Sequence, residues 1–153
     1  MTTTVQDSGD SSNENGRRRF TISLLISHPT LDAREIGNTL GLEGHFQHSA
    51  GEQMKTPAGI VLAGSYYDTR WRHCTRYEVE AQWFVAQLEE FVEQLVPHRD
   101  FFSDVRDAGG SSSLVISFLG DGYFGDSLSQ ASLAKIVEMN LDLGFEIFAV
   151  RQT

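Results

Sequence analysis

The stretch Asp68–Tyr77, DTRWRHCTRY, holds the side chains of this sequence best suited to recognition chemistry. It alternates, as a strand with two unlike faces does. Thr69, Trp71, His73, Thr75 and Tyr77 fall on one face; Arg70, Arg72, Cys74 and Arg76 fall on the other. A row of planar guanidinium forks suits a carboxylate, a phosphate or an acidic protein surface. Acidic partners within the chain also exist, in the glutamates from Glu80 to Glu93 and in Glu146. Internal pairing of the row is therefore the first expectation and ligand binding the second.

Three other constellations invite a chemical reading. Phe118–Gln130, FLGDGYFGDSLSQ, spaces Gly120, Gly122 and Gly125 as G-x-G-x-x-G. Such glycines let a backbone approach a pyrophosphate at a helix N-terminus. Here Asp121 and Asp126 put negative charge where the phosphate would sit, and the expected helix cap, Ser127, comes after the third glycine. A connecting loop is the better reading, and the aspartates do not fit a calcium-binding loop. His45, His48, His73 and Cys74 offer four zinc-type ligands. Adjacent strand residues point to opposite faces, however, so His73 and Cys74 do not converge, and no metal or cofactor is expected. Cys74 beside arginines would be acidified, but nothing near it in sequence marks a catalytic partner.

These groups need elements to hold them. Phe20–Ser27, FTISLLIS, alternates as a half-buried strand ended by His28-Pro29. Asp32 to Leu40 reads as a short helix, with Asp32 as cap, Glu35 at the capping-box position and Gly41 as its stop. The segment from Glu43 to Tyr67 shows no regular period and carries one short apolar run, Ile60-Val61-Leu62. Val79 to Val96 reads as a helix with the stripe Phe84, Leu88, Phe91, Val92 and Leu95, closed by Pro97. A short helical stretch from Asp100 to Ala108 follows. Leu114 to Leu119 reads as a central strand, and Ser127 to Asn140 as a helix with Leu133, Ile136 and Val137 inward. Leu143 to Val150 is the last strand. The two ends echo each other as strand–helix–strand halves, which suggests a ferredoxin-like sheet with helices on one face.

Composition bounds the rest. A length of 153 residues suits one domain with a real core. Residues 1–18 are polar and read as a disordered tail, leaving 19–153 as the domain. The formal net charge of −9 disfavours nucleic acid and anionic membranes as partners. Arg17-Arg18-Arg19 is read as a solvated boundary. A single cysteine excludes an internal disulfide, and no early apolar run resembles a leader or spanning helix, so a cytoplasmic location is expected.

Several residues together resemble the bacterial family catalogued as domain of unknown function 4279. They are His28-Pro29, Leu31-Asp32, Glu35-Ile36, Leu40-Gly41-Leu42, Gly51-Glu52 in the following loop and Trp71 on the next strand. Glu43-Gly44 and Ala50 depart from the proline and lysine that family often carries there. The resemblance implies a small α+β domain and transfers no catalytic residue.

The reading is thus an α+β domain with a four-stranded, mainly antiparallel sheet. Its expected role is a non-catalytic binding or protein-interaction module. The candidate surface is Gly51, Glu52, Arg70, Trp71 and Arg72, with Glu52 available to pair one of the arginines. The alternatives are a small enzyme using Glu52 and a loop histidine, and a self-associating domain or toxin-immunity-type partner.

Overall fold

The computed structural model describes residues 18–78, 83–120 and 124–149. The expected polar tail therefore lies outside the described residues, apart from Arg18, as do Asp121, Gly122 and Val79 to Gln82. The elements are β1 (Arg19–His28), α1 (Ala33–Leu40), β2 (Phe46–His48), β3 (Gln53–Lys55), β4 (Val61–Ser65), β5 (Thr69–Glu78), α2 (Phe84–Leu95), α3 (Arg99–Asp107), β6 (Ser111–Leu119), α4 (Gln130–Glu138) and β7 (Leu141–Phe148). One turn of 3-10 helix, Val96–His98, joins α2 to α3 around Pro97.

β1 forms the centre because its sequence can be buried from both edges. It runs antiparallel to β5 on one side and to β6 on the other, pairing along its length with each. Phe20, Ile22, Leu24 and Ile26 are buried beneath the helices. Thr21, Ser23, Leu25 and Ser27 face the other way, opposite Arg76, Cys74, Arg72 and Arg70 of β5. At its end, the His28 ring takes over where the ladder stops: Nδ1 accepts the N–H groups of Thr30 and Leu31. Burial depresses the pKa of this ring, which favours the neutral form that can accept.

The architecture corrects the expected one in two respects. The sheet has five strands, not four, in the order β2-β5-β1-β6-β7, and β6 and β7 run parallel. The two halves are also unlike. β5 lies between β1 and β2, whereas β6 and β7 are direct neighbours joined through α4; the ferredoxin-like interlock is instead made by β1-α1-β2 and β5-α2-β6, whose strands run all antiparallel in the order β2-β5-β1-β6, with β7 added beyond β6. A separate hairpin, β3–β4, fills the region that shows no periodicity. Its strands are too short, and too exposed on both faces, to carry an alternation.

The helices lie on one face, where their apolar sides join β1, β5 and β6 in a single core containing Ile36, Leu88, Val92, Phe102 and Ile136. Asp32 caps α1 and Gly41 closes it in the left-handed region, as expected. α4 differs from expectation. It is capped by Ser129 rather than Ser127, and Leu133 and Val137 are exposed while Ser132 is buried. The hydroxyl of Ser132 is satisfied by donating to Glu89 of α2, which allows the helix to turn that polar position inward. Among the described residues, no helix lies on the opposite face of the sheet.

Candidate functional site

The uncovered face of the sheet holds a groove of about 600 Å³ at the end nearest β2. The ladder explains its lining. Phe46 pairs with Arg72 and His48 with Arg70, so β2 places both rings beside both guanidinium groups. Leu25, Ser27, Ser111 and Ser113 form the floor. The side is therefore cationic and aromatic, and the floor mixes hydroxyl and apolar surface.

Each polar group has a defined setting. Arg72 donates to Ser23 Oγ at 3.2 Å across the β5–β1 pair. Arg70 donates to Asp68 at 2.8 Å, and His48 Nε2 stands 4.0 Å from the same carboxylate. Ser27 and Ser111 share a hydrogen bond of 2.8 Å. Tyr66 stacks on His48 at 3.7 Å between ring centroids, so the hairpin base packs against one of the groove's side chains. The Nδ1 atom of His48 is buried without a protein partner. Arg70 and Arg72 are both exposed, which leaves donors of each fork free to meet an anion.

Of the other expected site residues, Trp71 borders the groove but turns its ring away from it, and Gly51 and Glu52 lie outside it. Trp71 is 1% exposed and faces the helices, as the alternation of β5 requires. It belongs to the core, so its indole does not contribute to an exposed recognition surface. Its Nε1 sits against Gly44, where an added Cβ would come within 2.5 Å of it. Glycine is needed there because the chain leaving α1 passes over the ring.

Gly51 and Glu52 build a turn. Ser49 to Glu52 is closed by the Glu52 N–H donating to the Ser49 C=O, with Gly51 at φ 80°, the value a type II turn assigns to glycine. The Glu52 carboxylate accepts the Ser49 N–H at 3.0 Å. The expected pair between Glu52 and Arg70 or Arg72 is thus replaced by a bond within its own turn. Arg34 is the arginine whose charge Glu52 supports, after the larger effect of Asp32. The turn is tied down twice more: Ser49 Oγ accepts the Ala33 N–H, and Thr69 Oγ1 accepts the Ala50 N–H. A second hollow beside Asp32, Arg34, Ser49 and Glu52 is therefore lined by groups already engaged in holding the loop.

Asp32 at this hollow has a pH signature. The hydrogen bonds from Arg34 hold its carboxyl well below the usual range, at about 2. A carboxylate depressed in the folded state contributes stability above its ordinary value of 3.8, and that contribution disappears as pH falls toward about 2. Asp32→Asn keeps a capping oxygen but loses the charge. Its melting temperature should therefore fall less steeply than wild type through that window, and parallel curves would refute the assignment.

The histidines do not gather. His45 Nδ1 accepts the Cys74 N–H and its ring lies 5.0 Å from His73, while His48 stacks on Tyr66. His73 points to the helix side, toward Trp71 and Phe91; Cys74, opposite Ser23, occupies the uncovered face. Among the described residues no cluster of three or more His, Cys, Asp or Glu is placed to hold a metal ion. No helix among them is long and apolar enough to cross a membrane. In the glycine loop, α4 starts at Gln130, five residues past Gly125. Phe46 and the three groove serines escaped the sequence reading, and His48 stands out there only as a metal or acid–base candidate, not as a neighbour of the arginines. β2 is only three residues long, and serines on a strand give no signal of a site.

This is an α+β domain with one face of its sheet buried under helices and the other open and arginine-lined. The chain belongs to the family described as Domain of unknown function (DUF4279), whose model matches residues 18–149. No curated protein and no solved structure matches the chain significantly.

Proposed function

We propose that the protein is a non-catalytic binding module that takes an anionic group into the groove on its open sheet face. The observation that carries this reading is the convergence of Arg70, Arg72 and His48 on a hollow of about 600 Å³, within the size range of ligand sites. A chain of net charge −9 repels anions at long range, so a local cationic pocket marks where one is held. Leu25 and Phe46 offer apolar contact beside the charge. The fitting ligand class is a carboxylate or phosphate attached to an apolar body, and an acidic, aromatic-containing segment of a partner protein supplies both. The engagement of Glu52 and Asp32 in the loop supports binding over acid–base chemistry as the role of this region.

A fluorescence-anisotropy panel of acidic peptides, neutral analogues and small carboxylates tests the reading. Anionic probes should bind, and Arg70→Ala/Arg72→Ala should weaken them at least about tenfold, as loss of charge-assisted bonds would. Raised salt should weaken them as well. Equal binding by the double variant, or preference for neutral probes, would remove the groove from consideration.

A further inference from the structure

β7 is an outer strand: β6 covers one edge, and among the described residues no strand covers the other. The Gly120 N–H donates to the Phe148 C=O on the β6 side. In a parallel pair, one residue turns both peptide groups toward its neighbour and the next turns both away. Asp142, Gly144, Glu146 and Phe148 therefore bond to β6. Leu143, Phe145 and Ile147 turn their N–H and C=O groups outward.

Natural edges are usually blunted by proline, lysine, a bulge or an inward charge. The sequence of β7, LDLGFEIF, has none of these, and its two charges, Asp142 and Glu146, project on the open face. Phe145 is 58% and Ile147 80% exposed on the helix-covered side. α4 extends this apolar surface. Its Ser132 and Lys135 meet Glu89 and Glu93 of α2, and Ile136 points into the core. The remaining flank, Leu133 and Val137, faces away from α2 and overhangs β7.

The geometry points to a second copy of this chain as the occupant, paired antiparallel through β7 across a two-fold axis normal to the sheet. The side-chain order argues for it. With the axis at Phe145, that ring opposes its own copy, Leu143 opposes Ile147, and Glu146 opposes Gly144. Apolar meets apolar on the helix side, each Glu146 faces a glycine and each Asp142 faces Phe148, so no carboxylate opposes another. With the axis at Gly144, Asp142 would oppose Glu146; with it at Glu146, that carboxylate would oppose itself. Like charges directly opposite are destabilising, so the strand favours one self-paired register among these three. Leu133, Val137, Phe145, Ile147 and Phe148 together expose about 500 Å² per copy, given full side-chain areas of about 150–250 Å². A typical stable interface needs about 800 Å² per partner, and the paired backbone with the flanks of α4 supplies the remainder.

Sedimentation of the full chain across micromolar concentrations tests the proposal. The expected species is a dimer of the 17.1 kDa chain. Ile147→Lys should raise its dissociation constant at least about tenfold, and because the wild-type side chain is 80% exposed the folded monomer should persist by circular dichroism. Ile147→Pro should do the same by removing an outward N–H that β6 does not use. Ile60→Lys in the hairpin and Arg70→Ala/Arg72→Ala should leave the dimer intact. A monomer at every concentration overturns the proposal, whatever other protein it captures. So does a dimer indifferent to both Ile147 variants, or one broken by the arginine pair instead.

Discussion

Trp71→Ala is expected to remove about 3–5 kcal/mol of folding stability, the range for truncating a large buried aromatic. The ring is 1% exposed, is stacked near His73 and is closed over by Gly44. Backbone on that side limits how far the cavity can collapse. Domains of this size hold about 5–15 kcal/mol in total, so the variant should lose a large share of its stability and unfold at a markedly lower urea concentration. Urea titration followed by circular dichroism measures the loss. A value below about 2 kcal/mol would show that the surroundings relax into the space and that Trp71 is not the keystone of the β5–α1 contact.

Thr69→Val should give the second large effect, through bonds rather than volume. Thr69 is fully buried, and its hydroxyl donates to the Leu31 C=O while accepting the Ala50 N–H. Valine keeps the shape and removes the hydroxyl, leaving the Leu31 C=O and the Ala50 N–H without their partner. Each buried group left unsatisfied costs about 1–3 kcal/mol, unless the loop opens to water. Two readouts are therefore expected to move: the urea midpoint falls, and amide exchange at Ala50 to Glu52 rises. Thr69→Ser retains the hydroxyl and should keep slow exchange in the turn. If Thr69→Ser speeds exchange in the turn as much as Thr69→Val does, the hydroxyl is not what holds the turn in place.

Both positions bear on how much of this molecule the chain discloses before folding. Period-two alternation identified β1 and β5 and separated Trp71 from its arginine neighbours, because side-chain direction along a strand is local geometry. Asp32 and Gly41 marked both ends of α1 for the same reason: caps are local. Leu133 and Val137 misled, because the inward face of α4 is chosen by a hydrogen bond from Ser132 to a helix more than forty residues away. β2 was invisible at three residues, and with it the fact that Phe46 and His48 border the arginine row. The site was therefore legible as a charged strip and illegible as a groove. Gly51-Glu52 and Arg70-Arg72 are placed by the same loop-and-strand connection but serve different ends, the first fixing the turn and the second lining the open face.

The central position of β1 sets a timetable for synthesis. The strand bearing Phe20, Ile22, Leu24 and Ile26 is made before both of its neighbours, since β5 and β6 come later in the chain. From its last residue to the first of β6 is roughly 80 residues, which at about 5–20 residues per second takes about 4–16 s. For that interval an apolar strand has emerged with one of its edges still unmatched. The sheet's central strand thus keeps one edge unpaired in the nascent chain until β6 has been translated.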